Sequence, residues 1–98
     1  MKRTLRVRAV AKREYIDAID WYDQREPGLG SRFSLAVDAV LDELSHATNR
    51  WPEIEKGVRQ APVPDWPFTV IYQVTRLSIG VVAIFHTSRN PQDWMQRI

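Results

Sequence analysis

The sequence predicts an α+β fold, with an N-terminal strand, an antiparallel helical hairpin, a three-stranded antiparallel sheet and a short C-terminal helix. Apolar residues recur with the helical period through residues 12–48 and with the period of strands on either side. The link between the two helical segments, EPGLG, is short, which folds two helices back on each other. The last two apolar segments meet at a short turn near Arg76, which favours an antiparallel pair.

The first two elements differ in their period. In TLRVRAVA, residues 4–11, apolar and basic positions alternate, which is the pattern of a half-buried strand. Residues 12–25 have the i, i+3, i+4, i+7 spacing of an amphipathic helix. Its apolar stripe consists of Tyr15, Ala18, Ile19 and Tyr22. Glu14 and Asp17 are expected in the first turn, where acidic side chains suit the helix dipole.

The second helix and the remaining strands follow in order. Residues 29–48 repeat the helical period and end before Trp51-Pro52. The segments expected to be strands are 55–63, 68–75 and 77–85. Pro62 lies in the first of them and Pro64 directly follows it, so we expect this strand to be short or at an edge. The last is almost entirely apolar, as expected of a strand that is covered on both faces.

The two ends of the chain complete the predicted architecture. The N-terminal strand has to join the sheet across a long sequence separation, beside one of the last three strands. Residues 90–97 predict a short helix with Asn90 as N-cap and Pro91 at its first position. There is no internal repeat or linker, so we expect residues 1–98 to form a single domain.

Composition excludes several classes of protein. The 98 residues include no cysteine, which excludes disulfides and cysteine-based metal sites. No apolar stretch approaches the length of a membrane span. We therefore expect a cytoplasmic protein that has no membrane partner and needs no metal or cofactor. The net charge is only +2, but six cations lie in residues 1–13 and five acids in residues 14–26. Such a basic segment either binds a polyanion or pairs with the neighbouring acidic helix.

The segment FHTSRNPQDW, residues 85–94, holds most of the residues with chemical potential. His86 and Ser88 share a face of a strand, but there is no orienting acid and no nucleophile-elbow motif, which disfavours a serine hydrolase. Arg59 and Arg89 could hold an anion together if their strands are neighbours. The alternative for Arg89 is an ion pair, for example with Asp93. Trp94 is expected to pack back on the sheet beside His86.

Four motifs in a fixed order resemble the RelE/ParE superfamily of toxins, and the ParE-like branch most closely. They are AIDWY, PGLGSRF, WPFTVIYQV and VVAIFHTSRNPQDW. The resemblance implies the same fold and a small antitoxin protein as partner. It implies DNA gyrase as the target in the ParE branch and messenger RNA on the ribosome in the RelE branch. We expect the antitoxin to bind across the helical hairpin, through Tyr15, Ile19, Tyr22 and Phe33, and along an open edge of the sheet.

The residues favour the ParE-like branch. RNA-cutting members resemble one another in a basic set on the sheet and a tyrosine in the tail. In this chain Gln60 and Pro62 lie at about the positions of the lysines of that set, and Thr69 lies at the position of its first arginine. Arg89 matches the second arginine, and Trp94 or Met95 stands near the tyrosine. One arginine cannot supply the base, acid and cations that RNA cleavage requires.

Three functions therefore remain open. The leading one is a gyrase inhibitor that acts by binding, with Arg59, Arg89 and Trp94 at the target interface. The first rival is a ribosome-dependent endonuclease in which His86 and Arg89 are catalytic. The second rival is a nucleic-acid-binding module whose basic N-terminus, including Arg6 and Arg8, contacts phosphates.

Overall fold

The computed structural model describes residues 3–55 and 57–98, which form one mixed sheet with a helical hairpin on one face. The elements are β1 (Thr4–Val7), α1 (Ala9–Arg25), α2 (Leu29–His46), β2 (Glu53–Glu55), β3 (Val58–Pro62), β4 (Phe68–Val74), β5 (Ser78–His86) and α3 (Gln92–Met95). The five strands lie in the order β1-β5-β4-β3-β2. The predicted α+β class is confirmed, but the sheet is not purely antiparallel.

Strand β1 joins the sheet beside β5, and the two strands run parallel. Their register pairs Thr4 with Ser78 and Val7 with Val81. The long-range pairing was predicted, but the strand is shorter than expected because α1 already begins at Ala9. Alanine is the strongest helix former, and Ala9 and Ala11 satisfy the helical pattern as well as the alternating one. The first turn of α1 consequently contains no acidic residue, and Glu14 lies further along the helix.

Helices α1 and α2 form the predicted antiparallel hairpin. Gly28 between them has φ of 89°, a left-handed conformation that glycine adopts without steric cost. At Gly30 the two helices lie so close together that a Cβ built there would be 2.5 Å from the carbonyl oxygen of Ile19. Further along, the Tyr15 hydroxyl donates a hydrogen bond of 2.8 Å to Asp38. Among the described residues, no helix is long and apolar enough to cross a membrane.

Strands β3, β4 and β5 pair antiparallel, as predicted. The proline-containing strand was expected to be short or at an edge. It is short, with five residues, but it does not lie at the edge, because β2 pairs with its outer side. Strand β2 has only three residues, which is too short to show a period in the sequence. Pro62 is tolerated because it is the last residue of β3 and pairs with Thr69.

Strand β5 is buried on both faces, as its apolar run predicted. On the helix side, β4 and β5 pack against the hairpin through residues that include Phe33, Val37, Leu44, Tyr72 and Ile79. On the opposite side lies a smaller cluster, called here the outer cluster, formed by Val58, Ile71, Val82, Ala83, Phe85 and Trp94. The one-turn helix α3 covers this outer cluster. Asn90 accepts a hydrogen bond of 3.0 Å from the backbone N–H of Gln92, but the N-cap of α3 is Pro91, one residue later than predicted.

Candidate functional site

An open groove of about 470 Å³ lies between α1 and the adjoining ends of β4 and β5. We call it the helix-side groove. Most of its lining is apolar: Ala18, Trp21, Tyr22, Pro67, Phe68 and Ile84. Glu14, Asp17, His86 and Arg89 complete the lining. Trp21 is 50% exposed, so its indole presents apolar surface that a partner can bury.

A second groove of about 290 Å³ lies on the opposite face of the sheet, and we call it the outer groove. It is lined by Ile54, Gln60, Thr69, Phe85, Thr87, Arg89, Pro91, Trp94 and Met95. The structure thus brings together Gln60, Thr69 and Arg89, which the resemblance placed in one set. Gln60 and Thr69 are neutral, and the Thr69 hydroxyl donates to the carbonyl of Ala61 at 3.2 Å.

Glu14 lies at the centre of a hydrogen-bonded cluster between the two grooves. Its carboxylate accepts a bond of 3.1 Å from the backbone N–H of Ile84. That N–H lies beyond the part of β5 that pairs with β1, because the register of the pair ends at Val81. The same carboxylate accepts bonds of 3.0 and 2.9 Å from Arg97 and one of 2.7 Å from Arg89. Glu14 therefore takes the place that a further strand residue would occupy, and it also forms ion pairs with two arginines.

Arg89 contributes to the lining of both grooves. Its guanidinium donates to Glu14 at 2.7 Å and to Asp93 at 3.3 Å, and it lies 4.5 Å from the centre of the Phe85 ring. The ion pair with Asp93 is one of the two alternatives that the sequence left open. The side chain remains 40% exposed, so one part of it still faces solvent.

Arg59 does not share a site with Arg89. Arg59 lies on β3 opposite Tyr72, whereas Arg89 follows the far end of β5, and β4 separates the two strands. The guanidinium of Arg59 donates to the backbone carbonyl of Trp51. The idea that both arginines hold one anion is therefore wrong. Burial raises the pKa of Tyr72, and the charge of Arg59 acts in the opposite direction.

His86 packs on the helix side of the sheet, edge-on to Phe68, with 5.1 Å between the ring centres. Its Nδ1 accepts a bond of 3.1 Å from the backbone N–H of Ser88, and the Ser88 hydroxyl lies 2.8 Å from the same atom. Since a backbone N–H can only donate, the neutral ring carries its proton on Nε2. Trp94 lies on the other face, in the outer cluster. The expectation that these two side chains pack together is wrong.

Two of the residues predicted to contact a partner are buried in the structure. Trp94 is only 4% exposed and Phe33 is fully buried, so neither has surface to offer a partner in this structure. Tyr15 and Ile19 are half-buried against the helix-side core, as is Tyr22, which also lines the groove. Trp21 was not among the predicted partner contacts. Its position off the apolar stripe of α1 was the signal that could have identified it.

Comparisons with known proteins agree with this architecture. The sequence model described as "ParE toxin of type II toxin-antitoxin system, parDE" matches residues 5–91. The chain is 27% identical over 88 residues to Toxin RelE1 of Caulobacter vibrioides, which covers 88% of this chain and 95% of the relative. It is 28% identical over 92 residues to Toxin ParE2 of Mycobacterium tuberculosis, covering 93% of this chain and 88% of the relative.

A solved structure shows the same fold. A chain from the chromosomal ParDE toxin–antitoxin system of P. aeruginosa superposes with a TM-score of 0.79 at 19% identity. The match covers 89% of this chain and 98% of the other. The fold, the order of the elements and the match over residues 5–91 lead to one conclusion. This chain belongs to the ParE toxin family of type II toxin–antitoxin systems.

Proposed function

We propose that this toxin inhibits DNA gyrase by binding and does not cleave RNA, and that it acts in the cytoplasm. The observation that carries the proposal is the neutral character of the outer groove. Gln60 and Thr69 line it, at the positions where the resemblance to RNA-cutting members leads us to expect cations. Its one cation among the described residues, Arg89, is already paired with Glu14 and Asp93.

The position of His86 also argues against RNA cleavage. Cleavage through the 2′-OH needs a general base and a general acid on either side of one phosphate, with cations on its oxygens. The His86 ring packs on the helix side, whereas Gln60 and Thr69 face the outer groove. Nδ1 of His86 is occupied by Ser88, so only Nε2 is free to exchange a proton with a substrate. These contacts support a toxin that acts through its surface.

We further propose that the antitoxin binds in the helix-side groove. An antitoxin segment with apolar side chains would cover the exposed face of Trp21 and the groove wall at Phe68 and Ile84. Burial of aromatic surface at the centre of an interface provides much of the affinity in protein complexes. Tyr22, one of the predicted antitoxin contacts, remains in this assignment. Trp21 takes the place of Phe33, which is fully buried.

Arg89 is the residue of the predicted target set that retains both charge and exposure. Arginine is a frequent anchor at protein interfaces, because its planar fork forms several hydrogen bonds at once. Arg59 is engaged by the Trp51 carbonyl and Trp94 is buried. We therefore propose Arg89, at the end of β5, as the contact to gyrase.

Two assays on purified toxin test the proposal together. In a supercoiling assay with gyrase, the toxin is expected to inhibit, and added antitoxin is expected to restore activity. In a translation reaction, ribosome-bound messenger RNA is expected to stay intact. Codon-specific cleavage that disappears with His86→Ala would refute the gyrase assignment in favour of the endonuclease.

The nucleic-acid-binding alternative has its own test. Arg6 and Lys12 are exposed, while Arg8 is bonded to Gln73 and to the carbonyl of Arg97. For a phosphate-binding surface, the logarithm of the binding constant falls linearly with the logarithm of the salt concentration. We expect no such binding of a DNA duplex at physiological salt. Binding with a steep salt slope that Arg6→Ala reduces would favour this alternative.

A further inference from the structure

Gly80, in the interior of β5, is a glycine that contacts within the chain do not require. Gly28 and Gly57 have positive φ, and Gly30 lies against the backbone of the other helix. Gly80 has no positive φ, and a Cβ built on it would meet no atom within 4 Å. The irregular step in the pairing of β4 with β5 falls at Val82, so Gly80 does not form the bulge either. A glycine weakens the interior of a strand, and without these causes it marks a place where another molecule approaches the backbone closely.

Gly80 is the central member of a row of three residues on the outer face of the sheet. It pairs with Arg6 of β1 on one side and with Gln73 of β4 on the other. Chain neighbours of these three residues pack in the helix-side core: Leu5, Tyr72, Val74, Ile79 and Val81. Because successive side chains of a strand point to opposite faces, the row itself points to the outer face. Without a side chain at its centre, the row forms a depression, which we call the Gly80 trough.

The groups around the Gly80 trough are positively charged or donate hydrogen bonds. Arg6 is exposed, and within the part of the chain that the structure describes it makes no ion pair. Arg8 donates to the side-chain oxygen of Gln73 and, at 2.8 Å, to a backbone carbonyl near the C-terminus, which fixes its guanidinium beside the trough. Since the oxygen of Gln73 is occupied, its amide NH₂ group remains to donate. The next row, Thr4 and Ser78, is uncharged. The trough therefore suits a ligand with negatively charged acceptor oxygens.

We propose that the Gly80 trough receives the carboxylate of one aspartate or glutamate of the target protein. The carboxylate accepts from the guanidinium of Arg6, whose planar fork matches two oxygens, and from the amide NH₂ group of Gln73. The stem of the acidic side chain lies on the bare backbone of Gly80. The proposal rests on the proposed function for the identity of the target, DNA gyrase. It adds to Arg89 a second contact, on the face of the sheet that carries the outer groove.

The dimensions of the trough favour a single side chain over a nucleic acid. The strands β1 and β4 lie on either side of β5, so the positions of Arg6 and Gln73 are about 10 Å apart, with one missing side chain between them. A DNA duplex carries a charge about every 1.7 Å along its axis and is held by many cations in a row. Of the two arginines at the trough, Arg8 already has two acceptors. One carboxylate matches the remaining donors.

Gly80→Thr tests the proposal because it fills the trough without crowding the fold. The space above Gly80 is empty and threonine favours strands, so we expect the melting temperature to stay the same or rise. In a supercoiling assay with purified gyrase, we expect the toxin concentration that gives half inhibition to increase by about tenfold or more. Ser78→Thr is the matched control, since it adds a methyl group two residues earlier on the same face of β5. It is expected to leave the inhibition unchanged.

Arg6→Gln tests the charge at the trough in the same assay. We expect it to raise the concentration for half inhibition by about tenfold as well, because the carboxylate loses its cation. Arg13→Gln changes the net charge by the same amount at an exposed position on α1, and it is expected to have no effect.

The outcomes separate this proposal from the proposed function. If the wild-type toxin inhibits gyrase and either Gly80→Thr or Arg6→Gln leaves that inhibition unchanged, the carboxylate site is overturned and the proposed function stands. If the wild-type toxin does not inhibit gyrase, the proposed function fails, and the occupant of the trough with it. Binding of a DNA duplex by the wild-type toxin that Gly80→Thr abolishes would assign the trough to phosphate and overturn the proposal. Should Gly80→Thr not fold, Arg6→Gln decides alone.

Discussion

Glu14 and Arg97 are 83 positions apart in the chain, and their side chains meet through two hydrogen bonds of 3.0 and 2.9 Å. The carboxylate is 14% exposed and the guanidinium 19% exposed. The pair therefore joins the first helix to the last residues in a region from which most water is excluded. Such a pair contributes little when intact but costs a great deal when one partner is removed.

Arg97→Ala is expected to destabilise the fold by about 2–3 kcal/mol, because it leaves Glu14 short of a donor and the Val82 carbonyl unpaired. Arg13→Ala is the matched control, since Arg13 makes an exposed ion pair with Asp17. The control is expected to cost under about 0.5 kcal/mol. Urea unfolding of both variants measures the two free energies. Equal midpoints would show that the cluster around Glu14 does not stabilise the protein.

Trp94→Ala is expected to cost about 3 kcal/mol or more, because it opens a cavity in the outer cluster. Trp21→Ala, which removes the same side chain from an exposed position, is expected to cost under about 1 kcal/mol. Thermal unfolding followed by circular dichroism compares the two. A melting temperature that Trp94→Ala leaves unchanged would place the indole outside the core and restore it as a candidate for target binding.

Trp21→Ala is expected to weaken binding of the cognate antitoxin by roughly tenfold or more, because the indole presents apolar surface in the helix-side groove. Leu35→Ala is the control, since Leu35 is 69% exposed on α2 and does not line the groove. Isothermal titration calorimetry gives both affinities. If Leu35→Ala weakened binding and Trp21→Ala did not, the antitoxin site would lie on the outer side of α2 instead.

Alkaline pH is expected to destabilise the protein through Tyr15. Burial, followed by the hydrogen bond to Asp38, raises the pKa of this tyrosine from 10.0 to about 12. The folded state holds the Tyr15 proton more tightly than the unfolded state does, and this difference stabilises the fold. The stabilisation is complete below pH 10.0 and is lost as the pH rises toward 12. Urea unfolding at about pH 8 and about pH 11 measures the loss. Tyr15→Phe should reduce this loss of unfolding free energy. The part of the loss that remains is expected from Tyr22 and Tyr72, whose pKa values are also raised. An equal loss in Tyr15→Phe would assign the effect to other groups.

Local patterns predicted the elements of this fold well. The apolar run of β5 predicted burial on both faces, and the short EPGLG link predicted the antiparallel hairpin. The same patterns placed the start of α1 too late, because Ala9 and Ala11 fit a strand and a helix equally. They also missed β2, whose pairing with β3 depends on tertiary contacts.

The candidate site was less predictable because it depends on contacts between distant residues. No spacing in the sequence indicates that Glu14 bonds to both Arg89 and Arg97. The face on which Trp94 packs depends on the path of the turn after His86, and that path carries Trp94 to the side opposite the histidine. Gln60 and Thr69, which the resemblance placed in one set, do line the same groove.

The edge strand β2 has a consequence for how these molecules behave at high concentration. Its Glu53 and Glu55 are both exposed, at the end of the sheet that β2 forms. Unpaired backbone groups at such an edge invite pairing with the same edge of another copy, and charged side chains oppose it. Two chains that approached through β2 would bring like charges together. The acidic edge thus opposes the pairing of two copies of the toxin through β2.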